Sequence, residues 1–438
     1  MGMLTEAQSR DLLDRVLKLS QADTCTAGVG GSHGGNIRYA RNTVSTAGEE
    51  TDQRLNVTAT FGKRSGSSST NDFSADAIAN CVRRAEALAK LSPENPEAMP
   101  LLGPQSYRPT PAWSDRTDGV TAADRARIAA ASIQPAKAAK CVAAGFENDS
   151  ARWTANANSA GQFGYHRSTG AAFSVTMRTE DETGSGYATT DANDFGALGA
   201  ERASELAIQK AVASRNARAL EPGKYTVILE PPASDELLGF LWGQFNARNA
   251  DEGRSFLAKQ GGGNRLGEKL FDDTVTVRSD PWDARIPGTP WGGDGAPAQA
   301  TTWIDKGVVK SLACNRYWAE KTGRQPLNGP GNIIMEGGSG SVDDLIKGTE
   351  RGILVTRFWY IRSVDQQTVL ATGLTRDGTF YIENGQIKHA VKNFRFNESP
   401  VIMLNNVDAL AAPVRINGSL LPPMRIRDFT FTSLSDAV

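Results

Sequence analysis

Three histidines, four cysteines and two adjacent pairs of aspartates are the side chains in this sequence that first invite a metal-binding or proton-transfer reading. His33 lies in the turn-like GGSHGG, His166 among strand formers beside Tyr165, and His389 in a segment expected to face Phe380 across a hairpin. A zinc site needs several N, S or O ligands converging on one point. No two histidines are near one another in sequence, so each reads first as a packed or loop residue. Cys25, Cys81, Cys141 and Cys314 show no C-x-x-C spacing, and four cysteines in 438 residues do not make a disulfide framework. Reduced thiols are expected. The pairs Asp272-Asp273 and Asp343-Asp344 would point to opposite faces of a strand or into solvent from a loop, so neither is evidence for general acid and base work.

The glycine-rich stretches fail as phosphate or calcium sites on spacing. GGGNRLGEK places Glu268 where a phosphate-binding loop needs its lysine, and GVGGSHGG carries no dinucleotide fingerprint. GGSGS at 337–341 lacks the last glycine of a nucleophile elbow. DANDFG at 191–196 begins like a calcium loop, but its twelfth position is Arg202, where a bidentate carboxylate is required.

The elements that would position any site are easier to read. Thr5 and Gln8 have capping-box spacing ahead of Leu12, Leu13, Val16 and Leu17, which gives a helix over 4–19. Short strands are expected at 24–28, 36–41 and 54–61, then a helix capped by Ser74 and a third over 122–131 that stops before Pro135. Residues 141–187 read as strands, with a helix from about 200 to 214. After the strand KYTVILEP, Ser234 can cap a helix with Leu237, Leu238, Leu241, Trp242 and Phe245 on one face. TTWIDKGVVKSL should turn at Lys306-Gly307, and PPMRIRDFTFTS should turn Met424, Ile426, Phe429 and Phe431 inward. The strongest local signal spans 351–396. Ile353 to Arg362 are mostly β-branched or aromatic, and Asn384-Gly385 supplies the positive φ angles of a two-residue hairpin turn. That turn would pair Ile382 with Ile387 and Phe380 with His389.

Composition bounds what these elements can serve. The net charge is −1, from 48 basic and 49 acidic residues, so no global field draws nucleic acid or an anionic membrane surface. Neither partner is expected. No run of eighteen uncharged apolar residues occurs and the first twenty residues do not read as a signal peptide, so a cytoplasmic location is expected. Glu221-Pro222-Gly223 punctuates the chain, which suggests an N-terminal domain over 1–219, with a further boundary possible near 95–115 in the proline-rich stretch 93–111, and a C-terminal domain over 220–438. The fold class is α+β, with short strands and helices in the first half. Residue chemistry alone stops there.

The order of segments resembles the TldD/PmbA family of metalloproteases nearly end to end. In the first half the likeness rests on NIRYARNTVSTAGEE and LNVTATFGKRSGSSSTNDFSADAIANCVRRAEALAKLSPENPE. In the second it rests on EGRSFLAKQGGGNRLGEKL, TTWIDKGVVKSLACNRYWAEKTG, LVTRFWYIR and TRDGTFYIENGQIKHAVKNFRF. The resemblance implies a mainly antiparallel β C-terminal domain with one helix where active members carry H-E-x-x-x-H, whose histidines bind zinc together with a cysteine near the C-terminus. Aligned on Gly253-Arg254-Ser255, that motif falls on Leu238 to Gly243, which reads LGFLWG, and no cysteine follows Cys314. The chain is therefore similar to the PmbA-type (TldE) subunit, which lacks the metal motif and works with a zinc-bearing TldD-type partner in peptide cleavage.

On that resemblance no metal is held by this chain, zinc is expected in the partner, and the partners are a TldD-type subunit and a peptide bound as an extended strand. The contacts it suggests are Thr372, Gly373, Thr375, Arg376, Asp377 and Thr379, at the edge of the 351–396 block. The same residues can instead form the turn before the hairpin. A self-assembling peptide-binding scaffold of this fold is the alternative function. A hydrolase with a nucleophile such as Ser255 or Cys314 is a third.

Overall fold

The first helix forms as its sequence requires. In the computed structural model, which describes residues 2–435, Thr5 caps α1 (Glu6–Leu19) and Gln8 returns the hydrogen bond to the Thr5 backbone, while Leu12, Leu13 and Val16 are buried. The helix packs on a six-stranded antiparallel sheet built from β1 (Thr24–Ala40), β2 (Thr43–Phe61), β3 (Arg64–Thr70), β4 (Cys141–Asn158), β5 (Phe163–Thr179) and β6 (Ser185–Ala192), in the order β3-β2-β1-β4-β5-β6. With α1, helices α2 (Ala75–Leu91), α3 (Asp115–Asp118), α4 (Ala122–Ala138) and α5 (Ala200–Ala213) complete this half.

The strands are longer than the sequence patterns suggest. GVGGSHGG, expected as a break between two short strands, is the middle of β1 and is paired on both sides. Its glycines are required by close neighbours. A Cβ at Gly31 would lie 2.7 Å from the Asp52 carbonyl oxygen, and one at Gly34 would lie 2.1 Å from that of Asp149. Gly35 leaves room for the Arg125 guanidinium, which binds Asp149 through Nε (2.5 Å) and Nη2 (3.0 Å) and Glu49 through Nη1 (2.8 Å). α4 likewise continues through Pro135, where the missing N–H costs one bond close to the helix end.

Beneath α4 this half buries a carboxyl group. Glu147 is fully buried with neither oxygen hydrogen-bonded among the described residues, and the Tyr39 hydroxyl and Ser132 Oγ are also without a hydrogen bond there. Burial, reinforced by Asp149 and opposed by Arg125, pushes the Glu147 carboxyl up to about 8.

The second half holds two further sheets, whose strands are β7 (Gly223–Leu229), β8 (Val277–Ser279), β9 (Thr301–Asp305), β10 (Val308–Val309), β11 (Ile333–Met335), β12 (Arg351–Asp365), β13 (Leu370–Glu383), β14 (Gln386–Ala390), β15 (Phe394–Glu398), β16 (Val407–Leu410), β17 (Val414–Ile416), β18 (Ser419–Leu421) and β19 (Met424–Leu434). The smaller sheet runs β10-β9-β8-β11-β18-β17. In the larger one, pairing of β12 with β13 closes the ring β12-β7-β19-β15-β13, with β14 attached to β13 and β16 to β19.

Aromatic rings fill the closed ring. Phe358 and Phe396 stand on strands that are not neighbours, yet their ring centroids are 4.4 Å apart. Phe429 stacks on Phe358 at 5.7 Å, and Phe394 on Phe431 at 4.6 Å. A register shift between Ile426 and Phe429 keeps Met424, Ile426, Phe429 and Phe431 all buried. The Asn384-Gly385 hairpin pairs Ile382 with Ile387 as expected. A shift at Tyr381/Ile382 then pairs Phe380 with Ala390 rather than His389, and His389 stacks on Tyr381 at 5.3 Å. Phe380 is buried on the other face against Leu345 and Ile346.

Two outcomes are expected. Phe358→Ala should lower unfolding free energy by about 3–5 kcal/mol in denaturant titrations, as for large buried aromatics elsewhere. Because Glu147 keeps its proton in the folded state well above the ordinary glutamate range of ~4.3, stability should fall as pH rises from ~4 towards about 8 and then level off. Glu147→Gln, followed by thermal melts across this range, should leave stability nearly unchanged at pH 5 and raise it at pH 8.

Candidate functional site

The two halves meet along a polar seam between β6 and the closed ring. At its centre is Asp377, a buried residue in β13 with a left-handed backbone (φ 53), followed by Gly378 (φ 120). Its carboxylate accepts a hydrogen bond from Ser185 Oγ of β6 at 2.5 Å and another from Arg357 Nε of β12 at 2.7 Å, with Arg357 Nη2 as a further donor. Arg376 Nε lies 3.7 Å from the same carboxylate. The Arg357 guanidinium covers the Tyr187 ring of β6 at 3.9 Å and lies 5.0 Å from that of Trp359. Farther along, Arg415 Nε binds Asp191 at 2.7 Å, and Lys210 binds Glu230 at 2.5 Å. A cavity of about 410 Å³ opens beside Asp377, lined among others by Ser185, Ser214, Gly378, Thr379 and Asn393.

The six residues suggested as peptide contacts do not act as one edge. β13 is paired with β12 on one side and, over Ala371–Leu374, with β15 on the other, so no strand can add to its main chain there. The Thr372 hydroxyl donates to the Phe396 carbonyl (2.9 Å), and the Thr375 hydroxyl accepts from the Phe394 N–H (3.0 Å). Gly373 accommodates the Phe396 ring, which an added Cβ would approach to 2.7 Å. Arg376 joins the cation group beside Asp377, and only Asp377 and Thr379 of the six line the cavity.

An open edge lies instead on β12. β7 ends its pairing at Leu229 opposite Val355, and beyond that point, among the described residues, β12 pairs only with β13. Trp359, Tyr360 and Arg362 to Asp365 are exposed, and Tyr360 takes a left-handed φ of 60. At the inner end of this edge stands α6 (Pro231–Trp242), which begins at Glu230 with Pro231 in its first turn. Ser234, expected as the cap, is buried inside the helix with its hydroxyl directed to the Pro231 carbonyl (3.2 Å).

Leu237, Leu238 and Leu241 of α6 enter the core, while Glu236 and Phe240 are half-buried and Gly239 and Gly243 are exposed. A Cβ added at either glycine would meet nothing within 4 Å. Burial pushes the Glu236 carboxyl up to about 7, against the opposing influence of Arg357. The Asp235 carboxyl is also raised by burial and accepts from Asn417 Nδ2 at 2.8 Å.

This helix does not fit a zinc ion. Leu238, Gly239 and Gly243 offer no donor atom, and among the described residues no three His, Cys, Asp or Glu side chains are grouped to hold a metal. The histidines are dispersed. His33 Nε2 lies 2.9 Å from Asp118, His166 packs edge-on to Trp291 with its ring pushed down to about 4 by burial, and His389 stacks on Tyr381. Ser255 is buried, donating to the Gln244 carbonyl and accepting from the Leu257 N–H, both at 3.1 Å. Cys314 is buried and its thiol is raised by that burial. Neither is set up as a nucleophile.

Sequence reasoning missed Ser185, Tyr187, Glu236 and Arg357. In the sequence Glu236 is only one charge ahead of an apolar helical run, and nothing there links it to Arg357.

Comparisons with known proteins agree on the family. Three domain models of PmbA/TldA metallopeptidases match in order: domain 1 over residues 27–89, the central domain over 115–215 and the C-terminal domain over 222–433. A Methanothermobacter thermautotrophicus protein named metalloprotease is 25% identical over 227 residues, 48% of this chain and 47% of that protein, so the match spans about half the length of each. The fold matches TldE from Thermococcus kodakarensis with a TM-score of 0.87 at 18% identity, covering 97% of this chain and 99% of that one. A proposed modulator of a DNA gyrase from Thermotoga maritima gives 0.87 at 16% identity, covering 97% and 100%. A proposed modulator of DNA gyrase from Bacteroides thetaiotaomicron gives 0.84 at 21%, covering 99% and 100%. At these identities the structural likeness is one of fold, but the consecutive domain matches cover most of the sequence, and the chain belongs to the PmbA/TldD metallopeptidase family.

Proposed function

We propose that this chain is the non-catalytic, PmbA/TldE-like subunit of a cytoplasmic TldD/TldE-type metallopeptidase complex that cleaves or matures peptides. In this reading it holds the peptide as an extended strand, and a separately encoded TldD-type subunit carries the zinc. The observation that carries it is α6, whose metal-motif positions, Leu238, Gly239 and Gly243, are side chains without donors. No hydrolytic step is assigned to residues of this chain. Their part is binding: the open edge of β12 beyond Val355 offers main-chain N–H and C=O groups to an added strand. Trp359 and the Arg357 pair stand alongside it, and the Ser185–Asp377 bond holds the N-terminal sheet against the ring. Main-chain pairing would tolerate many peptide sequences. No helix among the described residues is long and apolar enough to cross a membrane.

The test is to purify the chain alone and with a TldD-type subunit, then measure bound zinc and cleavage of an unfolded peptide. Alone it should bind no stoichiometric zinc and cleave nothing, with zinc-dependent cleavage appearing in the mixture. Zinc-dependent cleavage by the chain alone would overturn the proposal, and peptide binding with no cleavage in any mixture would favour the self-assembling scaffold.

Asp377→Ala should lower unfolding free energy by about 3–5 kcal/mol by leaving the largely buried Arg357 cation unpaired. Chemical denaturation checks this, and a loss below about 1 kcal/mol would mean that Asp377 does not hold the seam.

A further inference from the structure

In the N-terminal sheet, β2 is much longer than the strand that covers its outer side. β1 pairs with it from Thr43 to Thr60, whereas β3 pairs with it only from Leu55 to Phe61. Among the described residues no strand lies on that outer side ahead of Leu55, so alternate N–H and C=O groups there point away from the sheet. Thr43 to Asp52 are exposed on both faces of the strand. At about 3.4 Å per residue this run makes an open edge of ~34 Å. Ala47 and Gly48 stand at its middle, and a Cβ added at Gly48 would meet nothing within 4 Å, so a second main chain can approach there.

The charge along this edge is of one sign. Thr43 to Gln53 include Glu49, Glu50 and Asp52 but no lysine or arginine. Beside them a cavity of about 410–450 Å³ would be needed to take one long side chain with room to spare, and the one present, about 430 Å³, is lined by Glu49, Glu50 and Thr51 together with Asp118, Arg125 and Asp149. Arg125 is already bonded to Asp149 and Glu49, and His33, which also lines the cavity, has its Nε2 2.9 Å from Asp118. Carboxylates therefore outnumber cations around the opening. Pairing two copies of this edge would put the acidic residues of both in one ribbon, where like charges opposite one another are destabilising. Acidic side chains do protect an edge in that way, but edges that merely end a sheet are kept very short or are covered. This one is neither. An extended chain carrying cations would satisfy its main-chain groups and its charge together.

We propose that the outer edge of β2, from Thr43 to Asp52, docks an extended lysine- or arginine-rich segment of a partner protein, which joins the sheet as a further strand and lays one cationic side chain in the cavity at Glu49. Glu49 faces α4, as its bond to Arg125 requires, so a residue paired opposite it points to the same side of the sheet. The inference does not rest on the peptide-binding reading of β12.

The test uses the full chain with two fluorescent decapeptides, acetylated and amidated, one alternating lysine with valine and the other glutamate with valine. With the lysine peptide, backbone hydrogen exchange should show new protection within Thr43–Asp52. Fluorescence anisotropy should give that peptide a dissociation constant about tenfold below that of the glutamate peptide, the joint effect of several exposed ion pairs. In Glu49→Gln/Glu50→Gln/Asp52→Asn the preference should fall to within about twofold. Glu50→Gln/Asp52→Asn, which leaves the Glu49–Arg125 bond in place, should lower it about threefold and serves if the triple variant does not fold. Protection confined to other strands, none at saturation, or equal affinity for the two peptides would overturn the proposal. Protection of Thr43–Asp52 that grows with protein concentration in the chain alone would overturn it in favour of a second copy as the occupant.

Discussion

A buried carboxylate, Asp377, is central among the polar groups that join the two halves of this molecule, together with the Arg415–Asp191 and Lys210–Glu230 pairs. It accepts a hydrogen bond from Ser185, 192 residues away in sequence, and draws Arg357 into the same node. A buried anion is tolerable only when its lone pairs are filled, and here the donors come from β6 and β12. Satisfying this charge therefore helps to hold the N-terminal sheet against the ring. The left-handed turn at Asp377-Gly378 makes this possible, because it bends β13 at the point where β15 stops pairing and β14 has not begun. The ring in turn depends on closure between β12 and β13, which lets Phe358, Phe396 and Phe429 meet across its interior.

The same construction separates the scaffold from the chemistry of the family. α6 packs Leu237, Leu238 and Leu241 into the core and leaves Gly239 and Gly243 facing open space. Its role as a packing element does not require donors on the outer face. A fold of this kind can keep its ring, its seam and its free strand edge whatever side chains line that open wall. Here that wall carries Glu236, a carboxyl held near neutrality by burial.

Local features were legible in the sequence because local chemistry determines them. The Thr5/Gln8 capping box, the turns at Lys306-Gly307 and Asn384-Gly385, and the inward set Met424, Ile426, Phe429 and Phe431 all follow from side chains within a few residues. β1 was not legible, since GVGGSHGG gains its extended form from β2 and β4 on either side and its glycines answer to Asp52, Asp149 and Arg125. The pairing of β13 with β15, which covers Thr372 and Gly373 of the six suggested contacts, was not legible for the same reason: it depends on residues beyond the hairpin. The site centred on Asp377 and Glu236 assembles residues from β6, α6, β12 and β13, and no spacing rule connects them.

In the proposed function a peptide adds to β12 and not to β13. Backbone amide hydrogen exchange on the full chain, with and without a saturating unfolded peptide, tests it most directly. New protection is expected within Trp359–Asp365, with no change at Thr372–Leu374, whose main chain is already paired on both sides. Protection confined to other strands, or none at saturation, would contradict it.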